Sequence, residues 1–409
     1  MAVTTIGHEV LVDHSVAPSP PARLGPAKTP TPQKGFYVEE LDGLRGSAAL
    51  LAICYHYLAG PAHAWHPVAR FVTALEVLPV NLDTFFIMSG FLIGSILLRY
   101  KDSPNYYKAF YARRFHRILP LYYLWLAVYA VVFLSIGKGW GLAHPAGYSS
   151  AAVLGACLVL VQNFFPAIVN SGLLIVPTWT LGVEEHFYLL APVCVRRLSK
   201  RSLVLGLLSV IAIAPLLRGL VSFLANGNAW SQSVIYFWTP LRADALAMGL
   251  LLALAWTTPE VQARMRRKSH LLPWAILGFT GAAALLVHLI RIRVPHALLV
   301  NAFAERTLVE LSCLSLMIFV LTRSDSWFCG FLRTRFMRAN GKISYGLYLA
   351  HFGLLWTVSR FVMHSELGLR PSRDVASALI SLPLLYLLAN LSWKFIEEPL
   401  VRRGHRYKF

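Results

Sequence analysis

The sequence predicts an all-α polytopic membrane protein with about ten transmembrane helices, one further re-entrant or buried element, and both termini in the cytosol. Of its 409 residues, 56% are hydrophobic and only 14% are charged, whereas soluble domains carry about 25% charged residues. Its apolar runs are long enough to cross the roughly 30 Å hydrocarbon core. Because only helices and closed barrels satisfy their backbone in lipid, and the ten-residue alternation of barrel strands is absent, we predict helices.

Eleven apolar segments are candidates for these elements. They span residues 44–60, 77–98, 118–136, 151–166, 173–195, 203–224, 240–257, 271–290, 305–322, 343–363 and 375–396. Basic clusters follow the second, fifth, seventh and ninth segments and end the chain, and such clusters face the cytosol. With the N-terminus inside, the cluster after the fifth segment fits only if one of the two preceding segments does not cross. We therefore predict a re-entrant or buried element around 151–178; the alternative is that this small cluster breaks the rule.

The chain is predicted to divide into a membrane domain and two tails. Residues 1–36 are expected to form a disordered cytosolic tail, because they are rich in Pro, Ala and Thr and lack an apolar core. Residues 37–400 form the membrane domain, and residues 401–409 a basic cytosolic tail. We expect no appended soluble domain, so any chemistry belongs to the membrane domain.

The net charge of +19 indicates membrane orientation and contact with anionic lipid rather than nucleic acid. Its basic residues lie in short clusters between apolar runs, without a separate basic domain. The five cysteines form no C-x-x-C pair, so neither a disulfide framework nor a metal site is predicted.

Three ionisable residues in or beside apolar segments are candidates for catalysis: His56, Asp83 and Glu184. Such a residue costs roughly 3 kcal/mol on insertion scales and is a functional hypothesis by default. A neutral imidazole at His56 suits a general base for a hydroxyl group; the alternative is a core histidine bonded to a neighbouring helix. Asp83 would orient that imidazole or pair with a basic residue on another helix. Glu184 would bind an acceptor hydroxyl, orient the imidazole or pair with an arginine.

Four arginines are candidates for binding a phosphorylated donor: Arg45, Arg113, Arg114 and Arg117. Arg45 precedes His56 by eleven residues, which is about 16 Å along a helix. Guanidinium groups match phosphate geometry, and coenzyme A carries a pyrophosphate and a 3′-phosphate. The alternative for the cluster is membrane topology alone. No permanently bound cofactor is expected.

Seven further residues are candidates for acceptor binding or helix packing. They are Trp179, Arg242, Asp244, Ser344, Tyr345, Tyr348 and His351. Arg242 and Asp244 are two residues apart and cannot face each other on one helix, so each is predicted to pair across the bundle. Ser344, Tyr348 and His351 follow at spacings of four and three, which predicts one polar stripe.

The order of the motifs resembles that of the membrane-bound acyltransferase family 3, the O-acyltransferases that decorate bacterial polysaccharides, lipopolysaccharide O-antigens and some antibiotics. The resemblance covers Glu40 to Pro399. Its motifs are LDGLRGSAA at 41–49 leading to His56, DTFFIMSGF at 83–91, RRFHRILPLY at 113–122 (similar to the family's basic loop), WTLGVEEHFY at 179–188, RADALAMG at 242–249, ISYGLYLAH at 343–351 and EEP at 397–399. Ala350 departs from the aromatic residue common at its position.

The resemblance implies ten crossing helices, an acyl-CoA donor that is often acetyl-CoA, and an essential His56. It also implies that Arg45 and the Arg113 cluster serve the donor. His56 would take the proton of the acceptor hydroxyl or carry the acyl group itself.

The predicted function is O-acylation, by preference O-acetylation, of a surface or lipid-linked glycan at the bacterial inner membrane. One alternative is acylation of a small secreted metabolite such as a macrolide sugar. Another is a transporter without transferase chemistry, which the lack of an internal repeat disfavours.

Overall fold

The computed structural model describes residues 38–62, 66–136, 150–165, 175–294, 297–368 and 370–409, and these ranges contain helices and no strand. The predicted tail 1–36 lies outside them. The α-helices of the described ranges are α1 (Glu39–Ala62), α2 (His66–Val77), α3 (Leu82–Arg99), α4 (Tyr106–Ile136), α5 (Ser150–Leu158), α6 (Trp179–Arg197), α7 (Lys200–Leu224), α8 (Ala229–Phe237), α9 (Ala243–Trp256), α10 (Pro259–Arg267), α11 (Leu272–Arg291), α12 (Ala297–Thr322), α13 (Trp327–Leu332), α14 (Arg335–Thr357), α15 (Pro371–Ser392) and α16 (Glu398–Gly404).

Four of the described helical stretches are long and apolar enough to cross a membrane. They are Leu82–Arg99, Lys200–Leu224, Ser269–Arg291 and Pro371–Gly404. Large apolar side chains such as Leu216, Trp274 and Leu379 are more than half exposed on them, as expected for surfaces that face lipid. The all-helical membrane architecture is confirmed, whereas the count of ten crossings and the cytosolic termini remain predictions.

Two predicted segments differ from the structure at their boundaries. The basic cluster Arg113–Arg117, predicted by resemblance as a loop, is helical, because α4 runs without a break from Tyr106 to Ile136 and includes Pro120. The predicted segment 151–166 forms only the nine-residue α5. At about 1.5 Å per residue, α5 is too short to cross the hydrocarbon core.

Two polar side chains follow α5 and are fully buried. Gln162 donates to the carbonyl oxygen of Thr178 at 2.7 Å, and Asn163 donates to the Oγ1 atom of Thr239 at 2.9 Å. These bonds tie the short 3₁₀ helix Gln162–Phe164 after α5 to two other parts of the bundle. Irregular backbone at membrane depth is tolerated where it is enclosed by protein in this way. Asn170, from the same predicted element, lies outside the described residues.

Glycines allow the closest helix contacts of the bundle. A Cβ atom at Gly341 on α14 would overlap the carbonyl oxygen of Asp42 on α1, and one at Gly249 on α9 would overlap that of Ile87 on α3. Only glycine permits backbones to approach this closely. The α1–α14 contact brings the helix that carries His56 against the helix that carries the polar stripe.

Candidate active site

His56 faces a second imidazole inside the bundle. Its ring centroid lies 5.1 Å from that of His351 and 4.2 Å from that of Phe352, both on α14. Tyr57 on α1 donates to the carbonyl oxygen of His351 at 3.2 Å and fixes the two helices at this level. Among the described residues, neither buried ring nitrogen of His56 has a hydrogen-bond partner. The alternative interpretation of a histidine bonded to a neighbouring helix is therefore not what the structure shows.

His351 has one satisfied and one unsatisfied ring nitrogen. Its Nδ1 atom lies 2.5 Å from the carbonyl oxygen of Tyr348. A carbonyl oxygen only accepts, so Nδ1 carries the hydrogen and Nε2 of the neutral ring is an acceptor. That Nε2 atom is buried and has no partner within the described part of the chain. Two imidazoles with open nitrogens in one buried position are able to accept and return a proton.

Glu184 on α6 has two hydroxyl partners and two arginines nearby. Its carboxylate accepts from the hydroxyl of Ser89 at 2.6 Å and from that of Tyr188 at 3.1 Å. Arg45 and Arg114 are within electrostatic range of this carboxylate. Of the three predicted roles, pairing with arginine has the clearest basis in these contacts; the interaction is through space rather than a direct salt bridge.

Neither Asp83 nor Glu184 accepts a hydrogen bond from His56, whose ring nitrogens have no partner among the described residues. Asp83 is fully buried and forms an ion pair with Arg242, and its second carboxylate oxygen accepts from Arg306 at 3.1 Å. Because two guanidinium groups already neutralise this carboxylate, it gains little from a hydrogen bond with a neutral imidazole. The structure thus shows the ion-pair alternative for Asp83, and the catalytic roles assigned to Asp83 and Glu184 stay predictions.

Arg242 and Asp244 pair with other helices, as predicted from their spacing. Arg242 pairs with Asp83 at the start of α3, and Asp244 forms a fully buried salt bridge of 2.7 Å with Arg218 on α7. Glu310 on α12 lies within electrostatic range of these groups. We call this set the ion-pair cluster; it comprises Asp83, Arg218, Arg242, Asp244, Arg306 and Glu310.

The predicted polar stripe Ser344, Tyr348 and His351 lies on α14, and its members and the neighbouring Tyr345 make different contacts. Ser344 donates to the carbonyl oxygen of Gly341 within its own helix, and Tyr345 donates to that of Ile118 on α4 at 2.9 Å. These two contacts are helix packing. Tyr348 instead lies 3.5 Å from the hydroxyl of Thr180 and beside the His351 ring, so it links the histidine pair to α6.

Trp179 belongs to a group of aromatic rings around the ion-pair cluster. Its ring lies 5.1 Å from that of Tyr236 and 6.0 Å from that of Phe86. Arg242 lies over all three rings, and Arg306 lies 5.4 Å from the centre of the Tyr236 ring. Trp179 is buried, whereas Tyr236 is 39% exposed. The group thus presents an aromatic face and a partly exposed guanidinium at its edge.

The three arginines of α4 line a cavity of about 180 Å³, which we call the basic pocket. Arg113, Arg114 and Arg117 share it with His405 and Phe409 from the end of the chain, and apolar side chains of α3, α4 and α16 complete the wall. Within the described ranges no aspartate or glutamate side chain lines it, and none of the three arginines forms a salt bridge. Such a pocket attracts an anionic ligand.

Arg45 connects the basic pocket to the histidines. It shares α1 with His56, and its guanidinium is within electrostatic range of Arg117 and Glu184. Arg114 also lines a second, more open cavity with Glu185 and Tyr188. The four arginines predicted for the donor therefore occupy one region, at the end of the bundle where α1 begins.

Several site residues were missed by the sequence analysis. Arg218 and Glu310 interrupt predicted apolar segments, so the criterion that selected His56 would also have selected them. By contrast, nothing near His405 or Phe409 in the sequence indicates the basic pocket, because their partners are almost 300 residues away.

Comparisons with known proteins show that the chain is similar to bacterial O-acetyltransferases. The O-acetyltransferase OatA of Staphylococcus aureus strain NCTC 8325 is 27% identical over 383 residues, covering 90% of this chain and 58% of that protein. The peptidoglycan O-acetyltransferase OatA of Listeria monocytogenes is 23% identical over 393 residues, covering 90% of this chain and 56% of that protein. The chain thus spans less than two thirds of the length of these relatives. No solved structure matches it.

A family model also matches most of the chain. The model for an acyltransferase domain, Acyl_transf_3, matches residues 38–390, which includes the histidine pair, the three arginines of α4 and the ion-pair cluster. The match confirms the resemblance carried by the motifs: this chain belongs to the membrane-bound acyltransferase family 3.

Proposed function

We propose that this chain is an O-acetyltransferase that moves an acetyl group from acyl-CoA on the cytosolic side to a hydroxyl of a surface or lipid-linked glycan at the bacterial cell membrane. The observation that carries the proposal is the imidazole of His56, whose two buried ring nitrogens have no hydrogen-bond partner among the described residues and which shares a helix with Arg45. The names of the relatives support acetyl as the group moved, and the Listeria relative supports peptidoglycan as the glycan.

The donor enters at the basic pocket. Its phosphates bind Arg113, Arg114 and Arg117, whose guanidinium groups have no carboxylate partner among the described residues. Its thioester arm passes Arg45 and Glu184 toward His56. The roughly 16 Å between Arg45 and His56 along α1 is a distance that the extended pantetheine arm is able to span.

His56 acts as the general base. Its open nitrogen accepts the proton of the acceptor hydroxyl while the hydroxyl oxygen attacks the thioester carbonyl. The tetrahedral adduct then breaks its carbon–sulfur bond, and the leaving thiolate takes the proton back from the imidazolium. The products are the acetyl ester and free coenzyme A, and no proton is gained or lost overall. The neighbouring His351 fixes the position of the His56 ring through their edge-to-face contact.

The acceptor binds from the opposite side of the histidine pair. Tyr348 links His351 to α6, and the rings of Trp179 and Tyr236 with Arg306 lie beyond it. Flat aromatic faces beside fixed hydrogen-bond donors suit the apolar face and hydroxyl groups of a sugar. This arrangement separates the soluble donor from an acceptor at the other face of the membrane.

The test uses the full chain in lipid nanodiscs, acetyl-CoA labelled in the acetyl group, and a panel of glycans that includes peptidoglycan fragments. We expect label on the glycan with the wild type. His56→Ala should lower the rate about 10²- to 10⁴-fold, the usual contribution of a general base. His270→Ala, at an exposed histidine, is the matched control and should leave the rate unchanged.

The same experiment separates the competing functions. Label on a small glycosylated metabolite, and on no glycan, would assign the metabolite function. Movement of labelled acetyl-CoA across the bilayer without any transfer would assign transport. Transfer to glycan at the wild-type rate by His56→Ala would remove the basis of the mechanism. Label retained on denatured protein only when His56 is present would identify a covalent route.

A further inference from the structure

The end of the chain folds back over the three arginines of α4. The carbonyl oxygen of Tyr407 accepts from Nε of Arg113 at 2.9 Å. The ring of Phe409 stacks on that of Tyr100, with centroids 4.2 Å apart and planes 5° from parallel. The Arg113 guanidinium lies 4.7 Å from the centre of the Phe409 ring. These contacts hold the terminal residues in a defined place, which a basic tail serving only for topology does not require.

The basic pocket has the chemistry of a phosphate site with an aromatic rim. Three guanidinium groups and the imidazole of His405 line it, and among the described residues no aspartate or glutamate side chain does. A volume of about 180 Å³ accommodates phosphate groups but not a whole nucleotide, since pockets for such ligands measure roughly 300–1,000 Å³. A ligand held here by its phosphates therefore places the rest of its nucleotide at the mouth. Phe409 lines this pocket, and its ring stacks on that of Tyr100 and lies beside Arg113.

Stacked aromatic rings are a general platform for nucleic-acid bases. A base adds its π face to the stack whatever its hydrogen-bonding edge, and a neighbouring guanidinium strengthens the contact. Phosphate in the pocket and a purine on the rim together describe a nucleotide with more than one phosphate group. The nucleotide end of coenzyme A meets this description.

We propose that His405 and Phe409 form one wall of the donor site, with Phe409 and Tyr100 contacting the adenine ring and His405 contacting a phosphate group of acyl-CoA. The inference rests on the proposed function, because it assigns the nucleotide end of the same donor. It gives the C-terminal segment a binding role and predicts that the segment matters only for donors that carry the nucleotide.

The experiment compares two donors with the full chain in nanodiscs: acetyl-CoA, and S-acetylpantetheine, which lacks the nucleotide. We expect Phe409→Ala to raise the KM for acetyl-CoA about tenfold, the size of one lost base stack, with kcat unchanged. The KM for S-acetylpantetheine should not change. Phe409→Trp should restore the acetyl-CoA value.

Tyr407→Ala is the matched control. It removes an aromatic ring two residues away that is absent from the pocket lining, and it keeps the backbone carbonyl that binds Arg113. Its KM for both donors should equal that of the wild type. If His405 contacts the 3′-phosphate, His405→Gln should weaken the binding of acetyl-CoA more than that of 3′-dephospho-acetyl-CoA. If it contacts the pyrophosphate, the variant should weaken the binding of both donors equally.

The outcomes for the two proposals are distinct. If the wild type transfers acetyl from neither donor and binds no coenzyme A in direct titration, the proposed function fails. If the wild type uses both donors and Phe409→Ala changes neither KM, or changes both equally, the wall assignment is wrong and the proposed function stands.

Discussion

Two sets of arginines lie in this bundle, and they differ in what neutralises them. Arg218, Arg242 and Arg306 meet carboxylates at salt-bridge distance, and the first two are fully buried. Arg113 and Arg114 line an open pocket and contact aromatic rings and a backbone carbonyl instead. Both sets consist of the same residue type in the same family domain. The charge of the first set therefore stabilises the fold, whereas the charge of the second set is available to bind an anion.

The difference follows from the cost of burying charge. An ion taken out of water costs several kcal/mol unless an opposite charge and hydrogen bonds offset it. The ion-pair cluster meets this requirement within the protein, so its arginines have little left to offer a ligand. The basic pocket stays partly hydrated, so its arginines keep their charge without a partner and are ready for an anion. The comparison assigns stability to the first set and donor affinity to the second.

The largest expected effect is on stability at the ion-pair cluster. Asp83→Asn leaves Arg242 buried without its counter-ion, and breaking one partner of such a pair costs about 3–5 kcal/mol. We expect a lower unfolding temperature and a lower yield of folded protein in detergent. Asp102→Asn makes the same change at an exposed aspartate and should not shift the transition. Equal unfolding temperatures for the two variants would show that the charge of Asp83 does not stabilise the ion-pair cluster.

A smaller effect, on binding rather than stability, is expected at the basic pocket. Arg114→Gln removes one charge-assisted contact, worth about 1.5–3 kcal/mol, so the KM for acetyl-CoA should rise by at least about tenfold. The unfolding temperature should stay within about 1 °C of the wild type, because Arg114 forms no direct salt bridge among the described residues and Glu184 keeps its hydrogen bonds to Ser89 and Tyr188. Arg266→Gln, at an exposed arginine of α10, is the control. A large loss of stability in Arg114→Gln would place this arginine with the structural set.

The sequence predicted well those features that depend on local pattern. Apolar runs and helical spacing are properties of neighbouring residues, so most helices and the stripe Ser344, Tyr348 and His351 lie close to their predicted positions. The basic cluster was misplaced in a loop because charge marks a membrane boundary but does not end a helix. The helix α4 carries its arginines beyond the apolar part of its length.

Contacts between distant segments cannot be predicted from local sequence patterns. Asp83 was assigned to His56 or to an unknown cation, and only the fold brings it to Arg242, 159 residues away. His56 and His351 were both selected, but on separate grounds, and their pairing depends on the close α1–α14 packing at Gly341. A charged residue in an apolar segment can thus be recognised from the sequence by the free-energy cost of burying it. Whether it contributes to stability or to catalysis depends on the residues that contact it in the fold.

The smallest expected effect is a pH dependence of donor binding at His405. Burial and then the positive charges of Arg113, Arg117 and Arg114 lower the pKa of His405 in the free protein. Of the groups packed around it on α4, these arginines and the nearby His116 are basic. A bound phosphate adds negative charge and raises the pKa of His405, so binding takes up a proton. Affinity for coenzyme A should then fall as pH rises from the free-state pKa toward the bound-state pKa.

One proton changes affinity by at most tenfold per pH unit, and partial uptake gives less, so we expect a few-fold change between pH 6 and pH 8. Coenzyme A titration by calorimetry across this range measures it. His405→Gln is compared over the same range, because the phosphate's own titration occurs in both proteins and cancels in their difference. A pH profile of the variant that parallels the wild type would remove His405 from the site, and the arginines alone would then account for the affinity of the basic pocket.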